Sequence, residues 1–146
     1  MKPNNIRPIA ICVFKDGERI FIAESFDPAK KQTFYRPLGG AIEFGERGAA
    51  AVVREVWEEV RLEVEKVRYL GALENIFTYN EEAGHEIVLV YTGEFTDRTM
   101  YQKVWMTGQE GDGAFFKAMW MNLNEFGPDA PLYPEGLLEM LRAGPA

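Results

Sequence analysis

Apolar and polar positions alternate in blocks along this chain, and the blocks predict a strand-rich fold with one prominent helix. Ile9 to Phe14 is an unbroken apolar run, read as a buried strand. Lys15-Asp16-Gly17-Glu18 is a turn signal with Asp-Gly at its centre, and Arg19 to Glu24 returns as the second arm of a hairpin. Ser25 to Gln32 is polar, contains Pro28 and reads as a loop. Thr33 to Leu38 is a short β-prone piece broken by Pro37, and Ala41 to Phe44 reads as another short strand. Further on, Arg68 to Ile76 and His85 to Phe95 are strands joined by the turn residues Tyr79 to Gly84. Thr96 to Gly113 is polar and is expected to be an irregular, mobile loop. Ala114 to Leu123 reads as a last strand. Pro131 to Arg142 closes as a helix, with Leu137, Leu138 and Leu141 turned inward.

The helical period appears after Gly45-Glu46, which lead into it, and ends at Leu62. At about 100° per residue, Ala49, Val53, Val56 and Val60 form one stripe, expected to be the core contact. Glu55, Glu58 and Glu59 form another, expected to face a loop or solvent. Like charges at i, i+4 cost about a few tenths of a kcal/mol per pair. These carboxylates also lie late in the helix, where its dipole disfavours negative charge. A hard divalent cation would relieve both costs, because Mg²⁺ and Mn²⁺ take oxygen ligands. Glu-rich helix faces are also commonly just solvated, and Arg54 can pair with Glu58 at i, i+4.

Spacing separates these readings. Gly40, Glu46, Arg54, Glu55, Val56, Glu58, Glu59 and Leu62 fall in register with G-x5-E-x7-R-E-U-x-E-E-x-G-U, where U is a bulky aliphatic residue. At about 6% per fixed residue, the six fixed identities would coincide in a chain this long on the order of once in 10⁵. The stretch resembles the Nudix box. It departs at one place: Arg61 stands where the family has a late Gly. That Gly is read as a helix C-cap, so the departure bears on the helix end, and Arg61 is not expected to touch metal. Before the box the chain reads Pro37-Leu38-Gly39-Gly40 where the family often has Leu-Pro-Gly-Gly, so the entering turn is expected to be shifted.

The resemblance implies the Nudix α/β fold, a mixed curved sheet sandwiched between helices with the box as loop-helix-loop, and one domain spanning 1–146. It implies Mg²⁺- or Mn²⁺-dependent hydrolysis of the pyrophosphate linkage in a nucleoside diphosphate derivative. The alternative is a catalytically inactive Nudix-fold module that binds nucleotides. The implied metal ligands are Glu55, Glu58, Glu59 and the backbone carbonyl of Gly40. Glu55 is nominated as general base, with ligation as its other role. Arg54 is read as the group that orients a carboxylate, and Glu46 either as a metal ligand or in a structural role, as a charge favoured near the helix N-terminus or as a partner for Arg54. A fourth, distant carboxylate is sought among Glu86, Glu94, Glu110 and Glu125, with Glu86 preferred. Arg36 is a candidate phosphate contact, and Tyr79, 17 residues past Leu62, a candidate substrate contact, since dinucleoside-polyphosphate hydrolases of the family often carry a Tyr near there. The Pro found at about that place in ADP-ribose hydrolases is absent. His85, the only histidine, is read as a strand-end surface residue before a catalytic one.

Composition narrows the partners. A net charge of −7 and a pI near 4.8 argue against an extended nucleic-acid or membrane surface, but not against a small anion met by a bound metal. Cys12 is the only cysteine, which excludes an intrachain disulfide and suits a reducing compartment. A cytoplasmic location and a possible homodimer are the remaining expectations.

Overall fold

The computed structural model describes residues 4–144. Its elements are β1 (Ile6–Asp16), β2 (Arg19–Asp27), β3 (Gln32–Arg36), β4 (Leu38–Ala41), α1 (Gly48–Val60), β5 (Val64–Tyr79), β6 (Glu82–Phe95), β7 (Trp105–Gln109), β8 (Phe115–Asn122) and α2 (Leu137–Ala143). The strands form one mixed eight-stranded sheet in the order β5-β6-β1-β2-β8-β7, with β3 on β2 and β4 on β1. β1 runs parallel to β6 and antiparallel to β4. β1 and β2 pair only beside their turn, at Lys15↔Ile20 and Asp16↔Arg19. Beyond it they part, and β4 takes the place of β2 along Ile9 to Cys12. That parting delivers the Gly pair of the box to the centre of the sheet.

Both faces of β1 are buried, which is why its sequence shows no alternation. Ala10, Cys12 and Phe14 face the layer under α1, while Ile9, Ile11 and Val13 face the layer under α2. β2 divides the same way, with Phe21 and Ala23 on one side and Ile20 and Ile22 on the other. Leu137 and Leu141 anchor α2 as expected. The sheet therefore lies between the two helices. Cys12 is fully buried, and burial pushes its thiol pKa well above the ordinary range.

Five expectations need correction. The core stripe of α1 is Ala51, Val52, Val56 and Val60, while Ala49 and Val53 are exposed. Glu59 lies on this buried side and is only 9% exposed. The short strand ends at Ala41 instead of beginning there, because β4 needs Leu38 to Ala41 opposite Cys12 to Ile9. Ser25 to Asp27 continue β2, paired with Gln32 to Phe34 of β3. The stretch Thr96 to Gly113 contains a 3-10 turn over Arg98–Gln102 and the edge strand β7. β5 is also longer than expected, and bulges near Lys66 and Leu70 let it follow the curve of β6. Its hairpin with β6 turns through Asn80 and Glu81, both with positive φ, as a two-residue loop of this hand requires.

Candidate active site

The site is assembled where β4 runs beside β1 and under α1. A side chain at Gly39 would strike the Ala10 carbonyl oxygen at 2.1 Å, so only glycine permits this pairing. At Gly40 an added Cβ would lie 2.5 Å from the Glu55 carboxyl carbon. The Glu55 carboxylate thus rests against bare backbone, a cradle that any larger residue would fill. The Gly39 N–H donates to Glu59 Oε1 at 3.2 Å. Two box glutamates are therefore positioned by the two box glycines.

Arg54 holds the rest together. Its Nε and Nη2 donate to both oxygens of Glu46 at 2.8 Å, the forked geometry a guanidinium makes with a carboxylate. Nη1 donates to Glu55 at 2.8 Å and approaches Glu58 at 3.3 Å, and Nη2 donates to the Ala41 carbonyl at 3.0 Å. Hydrogen bonds from Arg54, and then from the Glu43 N–H, pull the Glu46 carboxyl down to about 2. Of the two structural readings of Glu46, this is the Arg54 partner. Glu58 is the outermost of the trio, half exposed to solvent.

Glu59 is in the opposite electrostatic state. Burial, followed by repulsion from Glu110, pushes its pKa up to about 8, against the lowering effects of the Gly39 N–H and Arg36. A carboxyl buried beside a second acid favours its neutral form unless a cation joins it.

A cleft of about 590 Å³ opens over these groups. Glu55, Glu58, Glu59, Gly39 and Gly40 form one side. From the sheet and its loops come Glu86, Glu110, Arg7 and Arg36, and Arg61 joins them from the C-terminal end of α1. Of the four distant carboxylates, Glu86 and Glu110 line the cleft. Glu86 is bound to Asn75 at 3.3 Å and pairs with Arg7 at 3.7 Å. Glu110, in the β7–β8 turn, pairs with Arg36 at 3.6 Å. The other two are engaged elsewhere: Glu94 with Arg98 and Lys66, and Glu125 in the capping box of Asn122. The sequence offered no means of ranking Glu110 with Glu86, because only the fold of the β7–β8 hairpin brings Glu110 to the helix.

Arg36 thus reaches the cleft, whereas Tyr79 does not. Tyr79 lies on a second, contiguous cleft of about 990 Å³ that shares Arg7, Arg36, Glu86 and Glu110 with the first. Here the period of β3 matters: Gln32, Phe34 and Arg36 face this cleft, while Tyr35 turns away onto Phe126. Phe34 meets Tyr79 at 5.9 Å and Tyr133 at 5.5 Å, both edge to face. The far end is tied shut. Asp27 Oδ1 accepts from the N–H groups of Ala29, Lys30 and Asn80, and Tyr79 Oη donates to the Phe26 carbonyl. Sequence alone does not pair Phe34 with Tyr133, since they meet only when the segment after β8 returns to β3 at Tyr35↔Leu132. His85 lines neither cleft.

Arg61 closes α1 with φ 57°, ψ 39°, and its N–H donates to the Trp57 carbonyl at 2.9 Å. The left-handed cap expected at this position is kept, with arginine in place of glycine.

Among the described residues, no three acidic, imidazole or thiol groups stand close enough to grip an ion as they are. The donor chemistry nevertheless fits one. Every candidate ligand presents oxygen, and a cation bound beside the buried Glu59 carboxyl would stabilise its charged form against burial and Glu110. No helix among the described residues is long and apolar enough to cross a membrane.

Comparison with known proteins agrees with the box. The NUDIX domain profile matches residues 5–143. The NAD-capped RNA hydrolase NudC of Mycobacterium tuberculosis is 30% identical over 123 residues, covering 82% of this chain and 39% of that protein. The chain therefore spans well under half the length of this relative. Among solved structures, a NUDIX hydrolase from Nitrosomonas europaea superposes with a TM-score of 0.67 at 17% identity, covering 97% of this chain and 91% of that one. The MutT NUDIX hydrolase of Burkholderia pseudomallei gives 0.63 at 19% identity, over 94% and 98%. The match along nearly the whole chain, over a sheet and helix that seat the box glutamates on Gly39 and Gly40, shows that this protein belongs to the Nudix family.

Proposed function

We propose that the protein hydrolyses the pyrophosphate linkage of a nucleoside diphosphate derivative with the help of Mg²⁺ or Mn²⁺. The observation that carries this reading is the joining of the two clefts: an acidic one over the box glutamates opens into one walled by Phe34, Tyr79 and Tyr133. An aromatic wall offers stacking to a nucleobase. The carboxylates offer sites for the cation that a crowded phosphoanhydride requires.

Glu55, Glu58, Glu59 and the Gly40 carbonyl would hold the ion, with Glu86 or Glu110 contributing from across the cleft. When bound, a divalent cation neutralises phosphoryl charge and makes water more acidic. The remaining work falls to the chain. Arg54 fixes Glu55 against Gly40, a restraint that suits a ligand better than the general base nominated from sequence. Arg36 stands where the clefts meet and can grip a phosphate by two N–H groups once it leaves Glu110. The proton of the attacking water passes to a cleft carboxylate.

The test is a substrate panel: nucleoside triphosphates, dinucleoside polyphosphates, ADP-ribose, sugar nucleotides and coenzyme A, each with Mg²⁺ and with EDTA, reading phosphate or pyrophosphate release. Turnover of at least one compound is expected. EDTA should abolish it and excess Mg²⁺ should restore it. Metal-independent turnover would reject the mechanism, and tight binding without turnover would favour the nucleotide-binding module.

A further inference from the structure

We propose that Arg61 is a specificity-determining contact, which takes the phosphate of the substrate farthest from its nucleobase and so favours nucleoside triphosphates or longer polyphosphates. The inference rests on the proposed function and deepens it.

Three observations carry it. First, Arg61 occupies a left-handed backbone position, φ 57°, where glycine costs less than any other residue. The left-handed backbone costs arginine more than glycine, and the capping bond uses only the backbone N–H, which glycine would supply equally. Second, three arginines line the acidic cleft, and two are already committed: Arg7 to Glu86 and Arg36 to Glu110. Among the described residues Arg61 makes no ion pair. Its guanidinium instead stands 5.7 Å from the ring centre of the half-exposed Trp57, a shelf that holds a cation without neutralising it. Third, Arg61 lines the acidic cleft but not the aromatic one, whereas Arg36 lines both. A nucleotide with its base against Phe34 would extend its phosphates past Arg36 and the box glutamates toward Arg61. A terminal phosphate carries charge beyond what a cation over the anhydride neutralises, and an uncommitted guanidinium is suited to receive it. An uncharged sugar at the same place gains nothing from Arg61.

The test compares wild type with Arg61→Gly and Arg61→Lys on nucleoside triphosphates and on ADP-ribose. Arg61→Gly should keep or raise Tm, because glycine relieves the backbone. It should raise KM for triphosphates about tenfold, the loss of one charge-assisted contact, with kcat changed much less. KM for ADP-ribose should stay put. Arg61→Lys should recover part of the triphosphate KM, and the salt dependence of that KM should be steeper in wild type than in Arg61→Gly. Equal shifts for both substrate classes, or none for triphosphates, would reduce Arg61 to a helix cap and overturn the proposal. Calorimetry of inorganic tripolyphosphate binding with Mg²⁺ separates this outcome from failure of the proposed function. Weaker binding by Arg61→Gly, in a protein that turns over no nucleotide, would uphold the contact and sink the hydrolysis reading. Unchanged binding would sink the contact.

Discussion

Glu59→Gln is expected to cut turnover by a factor of about 10³ or more while making the metal-free protein more stable above neutral pH. The two effects share one cause. Glu59 is buried under α1, and in the absence of metal its pKa stands at about 8 against an ordinary value of 4.5. The fold therefore prefers the neutral acid. Stability from this preference is complete below the ordinary carboxylate range and is lost as pH rises through about 8. At 1.36 kcal/mol per unit, the loss is of the order of a few kcal/mol. Glutamine resembles the neutral acid at every pH. Thermal melts in EDTA at pH 5 and pH 9 check this: wild type should lose stability across the interval, and Glu59→Gln should lose much less. Adding Mg²⁺ should recover the wild type at pH 9 and leave the variant unmoved. A variant with normal turnover would remove Glu59 from the ligand set. Melts with the same pH slope in both proteins would show that its burial carries no such cost.

Arg54→Met should be damaging in both stability and rate. Arg54 bonds to both oxygens of Glu46, to Glu55 and to the Ala41 carbonyl. Removing it leaves Glu46 and Glu55 without their counter-charge in a partly enclosed position. Solvent screens part of this cost, so the unfolding midpoint should fall measurably while the protein still folds. Glu55 also loses the bond that presses it against Gly40, and a carboxylate displaced by about 1 Å can cost 100-fold in rate. Arg54→Lys should regain less than half of either loss, because an ammonium cannot fork to two oxygens while holding a second carboxylate. Denaturant melts and kcat with saturating Mg²⁺ measure the two effects separately. A fully active, fully stable Arg54→Lys would show that charge alone is needed.

What could be read from sequence, and what could not, follows from distance along the chain. The box residues lie close together in sequence, so Glu55, Glu58, Glu59, Arg54 and Gly40 were legible as one group. The register Leu38 to Ala41 against β1 was not, because it depends on where β1 and β2 part. The helix misreading has a different origin. Charged residues are rarely buried, so a wheel that places carboxylates outside is the natural default. Here Val52, Val56, Glu59 and Val60 share one face, and Glu59 enters the core side because the Gly39 N–H receives it there. The pairing of Glu110 with Arg36 and the meeting of Phe34 with Tyr133 depend on sheet order and on the return of the C-terminal segment. No local periodicity encodes either. Trp105 to Gln109 escaped notice as a strand because an edge strand beside polar turns has little apolar alternation to display.

The burial of Cys12 gives the protein its own clock. This thiol lies at the middle of the sheet, with Tyr91 of β6 on one side and Leu38 of β4 on the other. An alkylating reagent cannot reach it by fraying of an end or a loop; the central strands must separate first. The rate at which a maleimide labels the protein therefore counts excursions of the whole sheet, with no probe to engineer and no second cysteine to confuse the signal.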